Sequence, residues 1–330
     1  MVWRMDSNAR WSRCGFFLEV VMRRAALLLI PVLFLATHLF AEDQPAKIPH
    51  IGPAGEIRKL VADLKFTEGP ADDGQGNLYF SDIPADRVYK VDSSGKASVF
   101  LEPSHHTNGL MINAAGNIVA CEMDGRIVEI DVKTKDVKAL APEYNGKRFN
   151  APNDLVLDSH GGVYFTDPRF RAPEPWPQEK EAWYYSDAKG RVTRLGDNLP
   201  APNGVILSPD EKTLYVIPSM QKQMMAYPVI GPGKLGEGKV FCELQQKDDK
   251  GNAGGDGLTV DSKGNLYITS GLGLQVFSPE GKHLGNIPFP EQPANCTFGG
   301  KDGKTLFVTA RTSVYAVEME ATGHRFAAKK

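Results

Sequence analysis

The sequence predicts an all-β fold: a six-bladed β-propeller with four-stranded blades, its ring closed by an N-terminal strand. Three observations carry this expectation. A polar residue recurs at the head of a short apolar segment, in Glu68-Gly69-Pro70, Asn108-Gly109-Leu110, Asn153-Asp154-Leu155, Asn203-Gly204-Val205, Asp256-Gly257-Leu258 and Asn295-Cys296-Thr297, at steps of 40, 45, 50, 53 and 39 residues. Repeats of this length mark propellers or solenoids. Each junction opens a hairpin whose turn is rich in Gly, Asn and Asp, flanked by β-branched and aromatic residues. No long amphipathic helical pattern interrupts the series, and about four short strands fit each period.

The elements follow in order. In the first repeat Gly69 to Asp73 turns at Gly74-Gln75-Gly76-Asn77 into Leu78 to Asp82, and a second hairpin from Arg87 turns at Asp92 to Lys96. The later repeats turn at Gly116-Asn117, His160-Gly161-Gly162, Pro209 to Lys212, Lys263-Gly264-Asn265 and Asp302-Gly303-Lys304. Gly and Asn tolerate the positive φ that tight hairpins need. Residues Ile57 to Leu64 read as a lone strand that completes the last blade, formed otherwise by Thr305 to Thr309 and Ser313 to Met319. An open β-solenoid is the weaker architecture, because hairpin turns suit blades. Tyr79, Tyr164, Tyr215 and Tyr267 recur in second strands at a phase that implies core packing.

The expected organisation is a signal peptide at 1–41, a linker at 42–56, the propeller at 57–319 and a tail at 320–330. Arg23-Arg24 precede the apolar run Ala25 to Ala36, and Ala41 precedes acidic residues. That is the charged, apolar and small-residue order of a secretory signal, with a retained signal anchor as the alternative. Met22, just before the arginines, is a candidate start. The run is short for a membrane span, so the expectation is export to a periplasm or the exterior with no stable span after cleavage. The net charge of −2 gives no basic field for nucleic acid. Cys121, Cys242 and Cys296 make an odd set after the signal, which is no disulfide framework.

Function starts from the junctions. In a closed ring, residues at one phase of each repeat converge on the axis. Glu68 and Asp256 bring two carboxylates, which match a dication, and Asn153 and Asn203 bring neutral carbonyl oxygens. Such a set suits Ca²⁺, which takes six to eight oxygen ligands, with another divalent cation as an option. The lack of a Cys/His cluster disfavours zinc. After each second strand the chain returns to the junction face, so the long Pro-rich segment Pro168 to Trp183 is placed as a rim or lid. Arg169 lies at its start and is a candidate for binding substrate. His105 and His106 precede Asn108, and His106 is a candidate at the channel mouth. Ser219 and Ser270 lack a Gly-x-Ser-x-Gly context, which argues against a serine hydrolase.

Phe66-Thr67-Glu68-Gly69-Pro70, Asn150-Ala151-Pro152-Asn153-Asp154-Leu155, Ala201-Pro202-Asn203-Gly204-Val205, Gly255-Asp256-Gly257-Leu258 and Tyr164-Phe165-Thr166-Asp167-Pro168 resemble the motifs of the senescence marker protein/gluconolactonase family over residues 57 to 319. The resemblance implies a six-bladed propeller with one divalent metal, usually calcium, in the channel, and hydrolysis of lactones or, in related propellers, of phosphotriesters. It implies Glu68, Asn153, Asn203 and Asp256 as metal ligands and Asn108 as a substrate contact. Asn295 is expected to be structural, and Asp154 to brace its junction. Asp256 is the candidate catalytic residue, as general base or as direct nucleophile. The substrate expected is a small sugar lactone. The alternatives are a phosphotriester or other ester at the same site, and a non-catalytic binding propeller.

Overall fold

The structure is a computed structural model that describes residues 47–326. Residues 1–41, read as a signal peptide, lie outside the described residues. Six antiparallel sheets are present, five of four strands and one of five. Among the described residues the sole helical piece is a 3-10 turn at Ile83–Ala85. No described helix is long and apolar enough to cross a membrane.

Five of the sheets run in sequence order from an inner to an outer strand. The first blade takes Thr67–Asp72, Leu78–Asp82, Arg87–Val91 and Ala97–Leu101, and the second starts at Thr107–Ile112. Inner strands are mostly buried, as at Leu155–Leu157, whereas outer ones such as Val137–Ala141 are largely exposed. The sixth blade joins Pro293–Gly299, Thr305–Ala310 and Ser313–Glu318 to Arg58–Val61, the strand that comes first in the chain. Arg58 lies opposite Ala316 and Lys59 opposite Tyr315. The last blade thus takes strands from both ends of the propeller, as the closed ring requires. The fourth blade departs from the simple pattern: Gln223–Gly231 is long and pairs both Lys234–Leu235 and Lys239–Glu243.

The four recurrent tyrosines of the second strands are all buried. The segments read as linker and tail both make contacts with the blades. Ile48 and Ile51, placed in the linker, are buried with Tyr315 and Met319. The tail folds back through Gly323 opposite Asp261, and Arg325 pairs with Asp72 at 2.9 Å. All three described cysteines are free and buried.

Candidate active site

A belt of hydrogen bonds ties each blade to the next at the junctions. Ser81 Oγ donates to the Asn108 carbonyl at 2.7 Å, and Gly109 N–H to the Asn153 carbonyl at 2.8 Å. Thr166 Oγ1 donates to the Asn203 carbonyl at 2.6 Å, Gly204 N–H to the Asp256 carbonyl at 2.9 Å, and Gly257 N–H to the Ala294 carbonyl at 2.8 Å. Thr67 N–H closes the circle on the Arg311 carbonyl at 2.8 Å. This close approach explains the glycines after the polar residues. A Cβ at Gly204 would lie 2.5 Å from the Asp256 carbonyl oxygen, inside van der Waals contact.

The junction side chains therefore meet. Glu68, Asn108, Asn153, Asn203 and Asp256 line one cavity of about 500 Å³. Glu68, Asn108, Asn153 and Asn203 are buried, at 4%, 3%, 5% and 4% exposed, and Asp256 is partly exposed. The Asn203 amide nitrogen donates to Ser219 Oγ at 2.9 Å and to Asp256 Oδ1 at 2.7 Å. Its carbonyl oxygen is thereby left for the cavity. Burial, and then the nearby charge of Asp256, push the Glu68 carboxyl well above its ordinary range. Burial lifts Asp256 to about 6, against the opposing Asn203 hydrogen bond and the Arg311 charge. Two carboxyls held close together without a cation resist ionising.

Among the described residues no three His, Cys, Asp or Glu side chains gather as a metal group. The donor set here is mixed, two carboxylates with amide oxygens, and it fits a hard cation on chemistry. Two carboxyl groups face one cavity with amide oxygens around them, and one further buried oxygen, Asn108 Oδ1, has no hydrogen-bond partner. Unpaired buried oxygens and charges of this kind are costly unless a cation or ligand meets them.

The remaining candidates are placed as follows. Asn295 lies on the cavity of about 320 Å³ at the other side of the junctions, where its oxygen accepts from Cys296 N–H at 2.8 Å. Asp154 lines the same second cavity, accepts from Leu155 N–H at 2.9 Å, and is lifted by burial to about 7. The segment after the third blade's second strand does reach the site, but through Phe170 and Arg171. Arg169, the sequence candidate, is not among the lining residues: it stands over the Trp176 ring at 5.0 Å and beside Glu181 at 3.7 Å. Arg171 has no carboxylate partner among the described residues. His106 is likewise off the lining, its Nδ1 held 3.2 Å from Asp124, and Met123 occupies the wall there. Phe66, Ile83, Met123, Ser219, Ser270 and Gln292 complete a wall that the repeat pattern did not mark.

Residues 66–312 match the family described as SMP-30/Gluconolactonase/LRE-like region. The chain belongs to this family. Among its relatives is a gluconolactonase of Zymomonas mobilis, 33% identical over 294 residues, covering 81% of this chain and 82% of that one. A diisopropyl-fluorophosphatase of Loligo vulgaris is 25% identical over 318 residues, covering 84% and 96%. A solved gluconolactonase from Xanthomonas campestris superposes with a TM-score of 0.74 at 30% identity, covering 83% and 91%. The gluconolactonase-family fold expected from the motifs is thus the fold observed, and the likeness spans nearly the whole propeller.

Proposed function

We propose that this chain is a calcium-dependent hydrolase that opens a small lactone, with a sugar lactone of the gluconolactone kind as its substrate. The observation that carries the reading is the convergence of Glu68, Asn153, Asn203 and Asp256 on one buried cavity, in a chain of the gluconolactonase family. These four would hold the ion. A bound calcium ion supplies Lewis-acid polarisation of the scissile carbonyl.

The protein's own residues do the rest. Asn203 fixes Asp256 Oδ1 at 2.7 Å, which leaves the second oxygen to take a proton from the attacking water. Held in this orientation, the Asp256 carboxylate is the base for that proton. Water adds to the acyl carbon, the ring C–O bond breaks, and the departing alkoxide takes up a proton to give the hydroxy acid. Asn108, a lining residue whose Oδ1 has no partner, accepts a hydrogen bond from a substrate hydroxyl.

A second reading, hydrolysis of a phosphotriester or other ester at the same site, has one observation in its favour. Phe66, Ile83, Pro84, Met123 and Phe170 make one wall of the cavity apolar, which suits a substrate less hydroxylated than an aldonolactone. We also propose that residues 1–41 direct export; an exported protein whose N-terminus begins at Met1 would refute it.

The test is turnover of a panel of aldonolactones, aryl esters and phosphotriesters, with calcium and with chelator, by wild type and Asp256→Ala. The proposal expects calcium-dependent lactone opening that the variant lacks. Metal-independent turnover, or full activity in the variant, would sink the mechanism. No turnover of any panel member by calcium-loaded protein would favour a binding propeller.

A further inference from the structure

The backbone that carries the junction side chains is held by carboxylates in a repeating way, two of them buried and two partly exposed. Asp82 accepts from Lys65 N–H and Phe66 N–H, both at 3.0 Å. These amides lie three and two residues before Glu68. Asp167 accepts from Asn150 N–H at 2.9 Å and Ala151 N–H at 2.8 Å. These lie three and two residues before Asn153. The amide two residues before Asn108 is held by Asp86 at 2.8 Å, and the one before Asn203 by Glu181 at 3.0 Å. Four junctions thus share one device at one offset. The first and third blades supply it, each bracing its own junction and the next.

The two-pronged cases are the strongest. Asp82 and Asp167 are 2% and 0% exposed, and each spends both oxygens on consecutive amides. Hydrogen bonds to an ionised acceptor are about twice as strong as neutral ones. The residue before each aspartate, Ser81 or Thr166, bonds the next blade's junction carbonyl. The pair therefore fixes a junction from both sides: the hydroxyl sets the neighbouring blade, the carboxylate sets the blade's own ligand.

We propose that Asp82 and Asp167, with Glu181 as a weaker third, are positioning residues that set the cation affinity of the site through the backbone of Glu68, Asn153 and Asn203. The inference rests on the calcium reading above. Replacing aspartate by asparagine keeps the shape but turns an NH₂ group toward one of the two N–H donors. One prong is lost and the ligand's backbone is released. Supporting groups behind metal ligands are worth about 10- to 100-fold in metal affinity.

The experiment is calorimetric titration of calcium into chelator-stripped, full-length wild type, Asp82→Asn, Asp167→Asn, Glu181→Gln and Asp158→Asn, with a thermal melt of each. Asp158 is the control. It is 3% exposed and accepts from His160 N–H at 2.9 Å, Gly162 N–H at 2.7 Å and Tyr185 OH at 2.9 Å, but in the hairpin turn at the far end of the third blade's inner strands. The expected result is a Kd raised by about 10-fold or more in the two aspartate variants and by less in Glu181→Gln. Asp158→Asn melts lower and keeps the wild-type Kd. If the aspartate variants do not fold, Glu181→Gln, which loses a single bond, carries the comparison. Wild-type affinity in all the braced variants, or an equal loss in Asp158→Asn, overturns the proposal alone. A wild type that takes up no calcium overturns the metal reading as well.

Discussion

Asp256→Asn is expected to make the metal-free protein more stable and to abolish its response to calcium. Burial raises the Asp256 carboxyl from 3.8 to about 6. That rise of roughly two pH units corresponds to about 3 kcal/mol, at about 1.4 kcal/mol per unit. For an acid, a folded pKa above the unfolded one means that the folded state holds the proton more tightly. Stability then falls as pH rises between the two values and stays low above them. At about pH 8 the wild type without cation carries that cost in full. Asparagine has the same outline and no charge, and its oxygen can keep the 2.7 Å bond from Asn203. In chelator at this pH the variant should gain up to about 3 kcal/mol, or roughly 6–12 °C in melting temperature. Calcium reverses the order: at about 1,000 times Kd it adds about 4 kcal/mol to a protein that binds it, and the variant should not respond. Differential scanning calorimetry of both proteins, in chelator and in calcium, reads the four melting points. A folded variant that melts at or below wild type in chelator, or that gains as much from calcium, would refute the reasoning.

Three further outcomes are expected. Chelated wild type should melt lower at about pH 8 than at about pH 5, because burial holds Asp154 and Asp167 at about 7 as well as Asp256 at about 6, so the folded state binds more protons through that interval; a flat melting profile would contradict it. Asn108→Ala should leave the melting temperature almost unchanged, since Oδ1 has no partner and Nδ2 only Met123 Sδ at 3.9 Å. The same variant should raise KM for a hydroxylated lactone by about 2- to 12-fold, the equivalent of one hydrogen bond of about 0.5–1.5 kcal/mol; steady-state kinetics on wild type and variant decide it. Gly204→Ala, whose Cβ would press on the Asp256 carbonyl oxygen at 2.5 Å, should cost about 1–3 kcal/mol in urea unfolding and weaken calcium binding, whereas Gly116→Ala, with open space around it, should leave calcium binding intact.

The blades were legible because hairpins are local: turn residues such as Gly116-Asn117 and the alternating strands beside them lie within a dozen positions of each other. Ring closure was legible because Arg58–Val61 is a strand with no partner nearby in sequence, and Ser313–Glu318 supplies one. The cavity-lining side chains at the junctions were legible by phase, since a ring gathers equal phases on its axis. What the period could not show are contacts between elements with no phase. Arg169 and Arg171 differ only in where an irregular segment turns, and stacking on Trp176 with pairing to Glu181 takes Arg169 away. His106 is held by Asp124 across the hairpin of the second blade's inner strands. The tail's contact was not legible because Arg325 and Asp72 stand 253 residues apart. The bonds made by Ser81-Asp82 and Thr166-Asp167 were not legible, because their partners lie 16 to 37 residues away.

The central claim is that Glu68, Asn153, Asn203 and Asp256 hold one dication. Its most direct test is a crystal structure of the calcium-loaded protein with anomalous scattering recorded. The account predicts one anomalous peak in the junction cavity, with oxygens of all four side chains at about 2.3–2.6 Å. A calcium-saturated crystal with no ion there, or with the ion bound by other residues, would contradict it.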